Sequence, residues 1–295
     1  MGLFGLFGKK NTREPEVKKE KYREYTKEDA KEIAEVIREK FSQPVMRICF
    51  THSAPSKLAA SKIGGYPYWE KDKEYPVNSK GDKLVLLCQI NFNDEKIPEG
   101  SLLPDKGLLQ FYIDTDSLMG LNFDDQTKQD GFRIVYFPEF DESITQADVL
   151  LMGLPANTEM KDSNLPTEKE YGIYLEEGVD SISSSEESFD DEVRKAIEEL
   201  YSDYTDSPVY RVLGNECYDE LFTLLTGFGS KMLGCPGFTQ SDPRDDYDMH
   251  LTTLLQLDSE EDMMWGDSGI ANFFIDPMDL QKLDFSDVIY NWDCY

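Results

Sequence analysis

Three short motifs occur twice in this chain, in the same order, and that recurrence narrows the folds open to it. The better-preserved set lies between Ser61 and Asp114: a Ser-Lys-Ile-Gly-Gly-Tyr-Pro turn, an apolar run Leu84 to Ile90 carrying Gln89, and a glycine-started run Gly107 to Asp114. The second set is Ser230 to Pro236, Leu251 to Leu257 carrying Gln256, and Gly269 to Asp276, with Leu233 replacing the first glycine. One match can arise by chance, whereas three in order argue for duplication. Each apolar run has the length of a buried strand and is bounded by turn residues. The expectation is an α+β fold: an internally duplicated, mainly antiparallel β-sheet whose related halves, 45–140 and 228–295, share a sheet or an interface. A helical, acidic middle region joins them. An amide among Leu and Ile neighbours needs partners, so Gln89 and Gln256 are expected to bond turn backbones in each half.

Helical periodicity appears in three places. Ala30, Ile33, Ala34, Ile37 and Phe41 form one stripe behind a Thr26/Asp29 capping pair, which predicts a helix over 27–41 that stops before Pro44. Val193, Ile197, Leu200 and Tyr201 predict a second over 189–204, and Cys217 to Thr226 a third, ended by Gly227. Short strands are expected at 45–50 and 133–137, further apolar segments at 149–154 and 171–175, and an exposed acidic loop over 176–191. Residues 1–26 read as a flexible charged lead-in, and 27–295 as one domain.

The charge restricts the partners. With 59 acidic and 30 basic residues the net charge is -29, a field that repels phosphate backbones and argues against nucleic acid while favouring a basic protein partner. No apolar run reaches the ~18 residues of a membrane span, so integral membrane association is not expected. The opening MGLFGLFGKK lacks a cleavage site, and Leu6 stands where myristoylation wants Ser or Thr. Weak membrane contact through Leu3, Phe4, Leu6 and Phe7 is the alternative to a frayed apolar tail. Five widely spaced cysteines without a CxxC pair read as reduced thiols, hence a cytoplasmic protein.

No catalytic set emerges. His52 and His250 are the two histidines, no GxSxG elbow accompanies them, and no phosphate-binding loop or dinucleotide fingerprint occurs, so neither a catalytic residue nor a cofactor is assigned. Asp242, Asp245, Asp246 and Asp248 are the first place to look for a metal, although they do not follow the calcium-loop pattern. Trp265-Gly266-Asp267-Ser268-Gly269 combines a large aromatic with short polar side chains. Trp265 could wall a small pocket with Asp267 or Ser268 as polar anchors and Trp69 as a further aromatic contact. The plainer reading is a turn whose Asp and Ser cap backbone amides. The first motif set keeps Asp105 and Gly107 at the corresponding place but has no tryptophan there.

The SKIGGYPYW turn, LVLLCQINF, GLLQFYID with RIVYF, and LLQLDSEEDMMWGDSGIANFFID together resemble the YwqG family, the DUF1963 domain, over residues 45–295. Its members are bacterial cytosolic proteins without an established activity. The resemblance implies two related α+β halves and transfers no mechanism. Members often carry a His ahead of the second LGxP turn; here Gly229-Ser230 stands in that place. Two functions are compatible with these residues. One is a non-enzymatic acidic binding or interaction protein, with an immunity-type inhibitor of a basic partner as its specific variant. The other is a small-molecule or metal-dependent hydrolytic enzyme with a pocket near Trp265–Gly269.

Overall fold

The described residues form one ten-stranded antiparallel sheet with helices beside it, mainly β in content. This computed structural model describes residues 23–295, apart from 162, 187, 203–206 and 248. The N-terminal motif and most of the lead-in therefore lie outside the described residues. In chain order the strands are β1 (Gln43–Phe50), β2 (Lys62–Ile63), β3 (Val85–Asn91), β4 (Leu108–Ile113), β5 (Phe132–Phe137), β6 (Tyr171–Asp180), β7 (Lys231–Leu233), β8 (Thr252–Asp258), β9 (Ile270–Ile275) and β10 (Val288–Asp293). Their spatial order is β10-β9-β8-β7-β1-β6-β2-β3-β4-β5.

The two ends of this order mirror each other, but the central strands are exchanged. β1 precedes β2 in the chain yet lies beside β7, and β6 precedes β7 yet lies beside β2. The β1–β6 pair at the centre runs the full length of β1, from Gln43 opposite Asp180 to Phe50 opposite Ile173. β2 and β7 are each very short, and each places a lysine opposite a glutamine: Lys62 faces Gln89 and Lys231 faces Gln256.

Alternation sorts the side chains. One face of the sheet sends Met46, Ile48, Phe111, Phe273 and Tyr290 into a shared core, where Phe111 and Phe273 meet edge to face at 5.1 Å. Because the sheet curls, β5 approaches β10: the rings of Phe132 and Tyr290 lie 5.2 Å apart. The Asp-rich segment 115–131 latches these outer strands. Tyr290 donates from its amide to Gln126 and from its hydroxyl to Met119, both at 3.0 Å, and the Trp292 indole donates to Leu118 O at 2.7 Å. The opposite face is covered in patches, by Tyr68, Trp69, Tyr112 and Phe137 on one side and by Phe238, Phe274 and Ile289 on the other.

The helices α1 (Lys27–Lys40), α3 (Phe189–Tyr201) and α4 (Val209–Leu224) share a separate apolar cluster. α1 begins as its sequence predicts. The Thr26 amide donates to Asp29 Oδ2 at 2.7 Å, and the Asp29 amide donates back to Thr26 Oγ1 at 3.4 Å. α3 stops at Tyr201 rather than 204 because Ser202 turns into the left-handed region, φ 56°. α4 starts eight residues earlier than the expected 217, running through a break at Gly214, whose φ of 71° departs from a helix. Of residues 149–154 the first half closes a helix, α2 (Gln146–Leu151), and α5 (Pro277–Lys282) opens behind an Asp276 cap. The acidic stretch 176–180 belongs to β6 and not to a loop.

Candidate functional site: clefts beside two buried lysines

Gln89 and Gln256 bond turn backbones in closely matching ways. Gln89 Nε2 donates to Leu58 O at 2.9 Å and Ala60 O at 2.8 Å, and its Oε1 accepts from the Tyr68 amide at 3.1 Å. Gln256 Nε2 donates to Gly227 O at 2.8 Å and Gly229 O at 2.7 Å, and its Oε1 accepts from the Gly237 amide at 2.8 Å. Each amide thus pins the segment that leads into the short strand and the turn that leaves it.

Beside each glutamine stands a buried lysine. The Lys62 side chain is 2% exposed and donates to Tyr66 O at 2.6 Å and Glu170 Oε1 at 3.0 Å. The Lys231 side chain is 1% exposed and donates to Asp180 Oδ2 at 2.7 Å. Burial lowers the pKa of both ammonium groups, and the paired carboxylates oppose that shift. Asp180 is further engaged: its Oδ1 accepts from Arg47 Nη2 at 2.9 Å and its Oδ2 from the Cys235 amide at 3.3 Å. A lysine inside a Ser-Lys-x-x-Gly turn reads as a surface residue, and its partner lies far along the chain. Retention of the Ser-Lys pair in both motif sets was the one sequence signal available.

A cleft lies beside each of these ion pairs, lined by both Lys62 and Glu170 in the first case and by Asp180 in the second. The first, about 230 Å³, is bounded by Ser56, Lys57, Lys62, Asn91, Glu142 and Glu170 among others. Lys57 and Glu142 pair across its mouth at 3.5 Å, both solvent-exposed. The second, about 270 Å³, is lined by Arg38 from α1, Arg47 from β1, Asp180 and Ser181 at the end of β6, and Leu224 to Phe228 behind α4. Both clefts use the segment that precedes the short strand, Pro55 to Ala59 in one and Leu224 to Phe228 in the other.

The residues singled out from sequence lie elsewhere and are not brought together. Trp265 is fully buried in the shared core, tilted against Trp292 at 6.3 Å, with its indole N–H lacking an acceptor. Asp267 and Ser268 are exposed in the following turn, where the Asp267 carbonyl accepts from the Tyr295 amide and Ser268 has φ 55°. Trp69 packs in a different cluster, edge-on to Tyr75 and Phe137, and donates to Lys73 O at 3.0 Å. Neither cleft is lined by these four. Asp242 is held by the Arg244 guanidinium at 2.6 Å, Asp245 and Asp246 sit in the short helical turn Pro243–Asp246, and Asp248 lies outside the described residues. Among the described residues, no group of three His, Cys, Asp or Glu side chains is placed to hold a metal ion. His52 is exposed beside Glu261 and His250 is buried beside Asp287, each at 3.3 Å, on different parts of the surface. No described helix is long and apolar enough to cross a membrane.

No curated protein matches the chain. Residues 61–294, from the first Ser-Lys turn to the end of β10, match the profile of a domain of unknown function, and the chain therefore belongs to the DUF1963 family.

Proposed function

We propose that this is a cytoplasmic, non-enzymatic binding protein, built by duplication of one strand unit, that holds a small electroneutral polar ligand above Lys62 and Glu170. The observation carrying this reading is the charge balance of the cleft. Lys57 is paired with Glu142 and Lys62 with Glu170. An anionic guest would meet the repulsion of a chain with net charge -29. A cationic guest would find both carboxylates already neutralised. A zwitterion or a neutral hydroxylated molecule meets neither penalty. An ammonium has three N–H donors, and Lys62 spends two on Tyr66 and Glu170, leaving one for a guest. Duplication is supported by the matched lysine–glutamine pairs, by the matched turn bonds, and by bulges at corresponding places in β3/β4 and β8/β9.

Calorimetric titration with free amino acids and small polyols tests the reading. Saturable binding is expected, and it should disappear in Ser56→Trp, which fills the mouth without touching the buried ion pair. Silence from every ligand, or full affinity in Ser56→Trp, refutes it.

A second reading, an acidic surface that receives a basic protein and of which an immunity-type inhibitor is the specific form, has its own support at Glu260. Burial raises the pKa of this carboxyl, and the charges of Asp258 and Glu261 add to the rise against hydrogen bonds from Ser230. A lysine or arginine from a partner would relieve that repulsion. Complex formation should weaken as salt rises, and indifference to ionic strength overturns it. The hydrolytic alternative near Trp265–Gly269 has neither of the two clefts behind it.

A further inference from the structure

We infer that the second cleft, lined by Arg38, Arg47 and Asp180, is a binding site for a compact phosphate, either the free ion or a small monoester. Its charge is the reverse of the surrounding molecule. Asp180 is answered by both Arg47 and Lys231, and Arg38 adds a further cation to the lining. Two lining guanidiniums therefore share the cleft with one lining carboxylate, whose charge the buried Lys231 already answers.

The donors are also uncommitted. Arg38 spends Nη2 on Leu224 O at 2.5 Å, and Arg47 spends Nη2 on Val179 O and Asp180 Oδ1. Each guanidinium keeps its Nε and Nη1 hydrogens, in the planar fork that suits phosphate oxygens. Ser181 Oγ is buried with no hydrogen-bond partner among the described residues, a cost that an anion accepting its proton would remove. Thr226 Oγ1 accepts from the Phe228 amide at 3.2 Å and retains its own hydroxyl proton. A tetrahedral dianion offers these donors more acceptor oxygens, in more directions, than a planar carboxylate does.

The first cleft has no arginine in its lining, and part of the difference lies in one strand position. Opposite Lys231 the central strand carries Arg47, whereas opposite Lys62 it carries Gly172. A side chain at Gly172 would meet Thr51 Oγ1 at 2.6 Å, so the first half has no room for a matching arginine. Matched scaffolds with different charge linings would take different ligands. The phosphate site stands independently of the ligand proposed for the first cleft.

The test is calorimetric titration of the full chain with inorganic phosphate and, separately, with glycerol phosphate, at constant ionic strength held by chloride. Saturable binding of at least one is expected, and the one bound more tightly identifies the source. Arg38→Gln, on an exposed helical surface, should weaken it about tenfold, the loss of charge-assisted hydrogen bonds. Ser181→Ala should weaken it severalfold while melting no lower than wild type. Lys195→Gln on α3 should leave it intact. Absence of binding to both probes overturns the assignment, as does full affinity in Arg38→Gln or an equal loss in Lys195→Gln.

Discussion

Removing the charge of Asp180 tests the energetics at the centre of the sheet. In Asp180→Asn the Lys231 ammonium, 1% exposed, loses its single carboxylate partner. Breaking a buried pair from one side costs about 3–5 kcal/mol, because the surviving charge stays desolvated. Arg47 contributes little to that loss, since its side chain is 45% exposed and water replaces Asp180. For a chain of this size each 1 kcal/mol lowers Tm by roughly 2–4 °C, so a fall of about 10 °C is expected. The pH dependence gives a sharper signature. Burial already holds the folded pKa of Lys231 below its model-peptide value of 10.5, and the opposing pull of Asp180 would be gone. In the pH range between the lowered folded pKa and 10.5 the unfolded chain binds more protons, so stability rises with pH. The deficit of Asp180→Asn against wild type should therefore shrink from pH 7 to pH 9.5 in urea unfolding, with m unchanged. Asp180→Leu combined with Lys231→Met should recover most of the loss. A deficit below about 1 kcal/mol, or one that does not vary with pH, would show that Lys231 is not held as a buried cation.

Two further outcomes follow from burial. Trp265→Ala should cost about 3–5 kcal/mol in chemical denaturation, the loss for a fully buried indole, whereas Asp267→Ala in the exposed turn should change stability by less than about 0.5 kcal/mol. Thiol labelling of the native protein should modify Cys294 and Cys49 first. Cys88, Cys217 and Cys235 are buried, and desolvation pushes the thiol pKa of Cys217 up to about 11 and that of Cys235 up to about 12. Fast labelling of all five in folded protein would contradict the packing.

The parts of the fold that were legible in sequence are those set by local chemistry. The capping pair of α1, the apolar strands β3, β4, β8 and β9, and the bonding roles of Gln89 and Gln256 all depend on residues near one another or on an amide among aliphatic neighbours. The apolar run from Cys217 marks only the second part of α4, which begins at Val209 and continues through a break at Gly214. The candidate site was not legible. A lysine carries no sign of burial until its carboxylate is located, and Glu170 lies 108 positions from Lys62. Trp265 attracted attention as a large aromatic beside two glycines. Those glycines answer to packing: a side chain at Gly269 would strike Asp293 O at 1.9 Å.

The exchange of β1 and β6 bears on how the chain reaches its native state. During synthesis β1 emerges early, yet its two neighbours in the sheet are β6 and β7, which lie more than a hundred residues downstream. Pairings of such high contact order form late and slowly. Until they form, β1 presents an unpaired edge, an invitation to a neighbouring chain. Neither motif set's strands complete the sheet without strands from the other part of the chain. At high concentration a nascent chain can borrow the central strand of another copy, and a domain-swapped dimer is the natural misassembly of this topology.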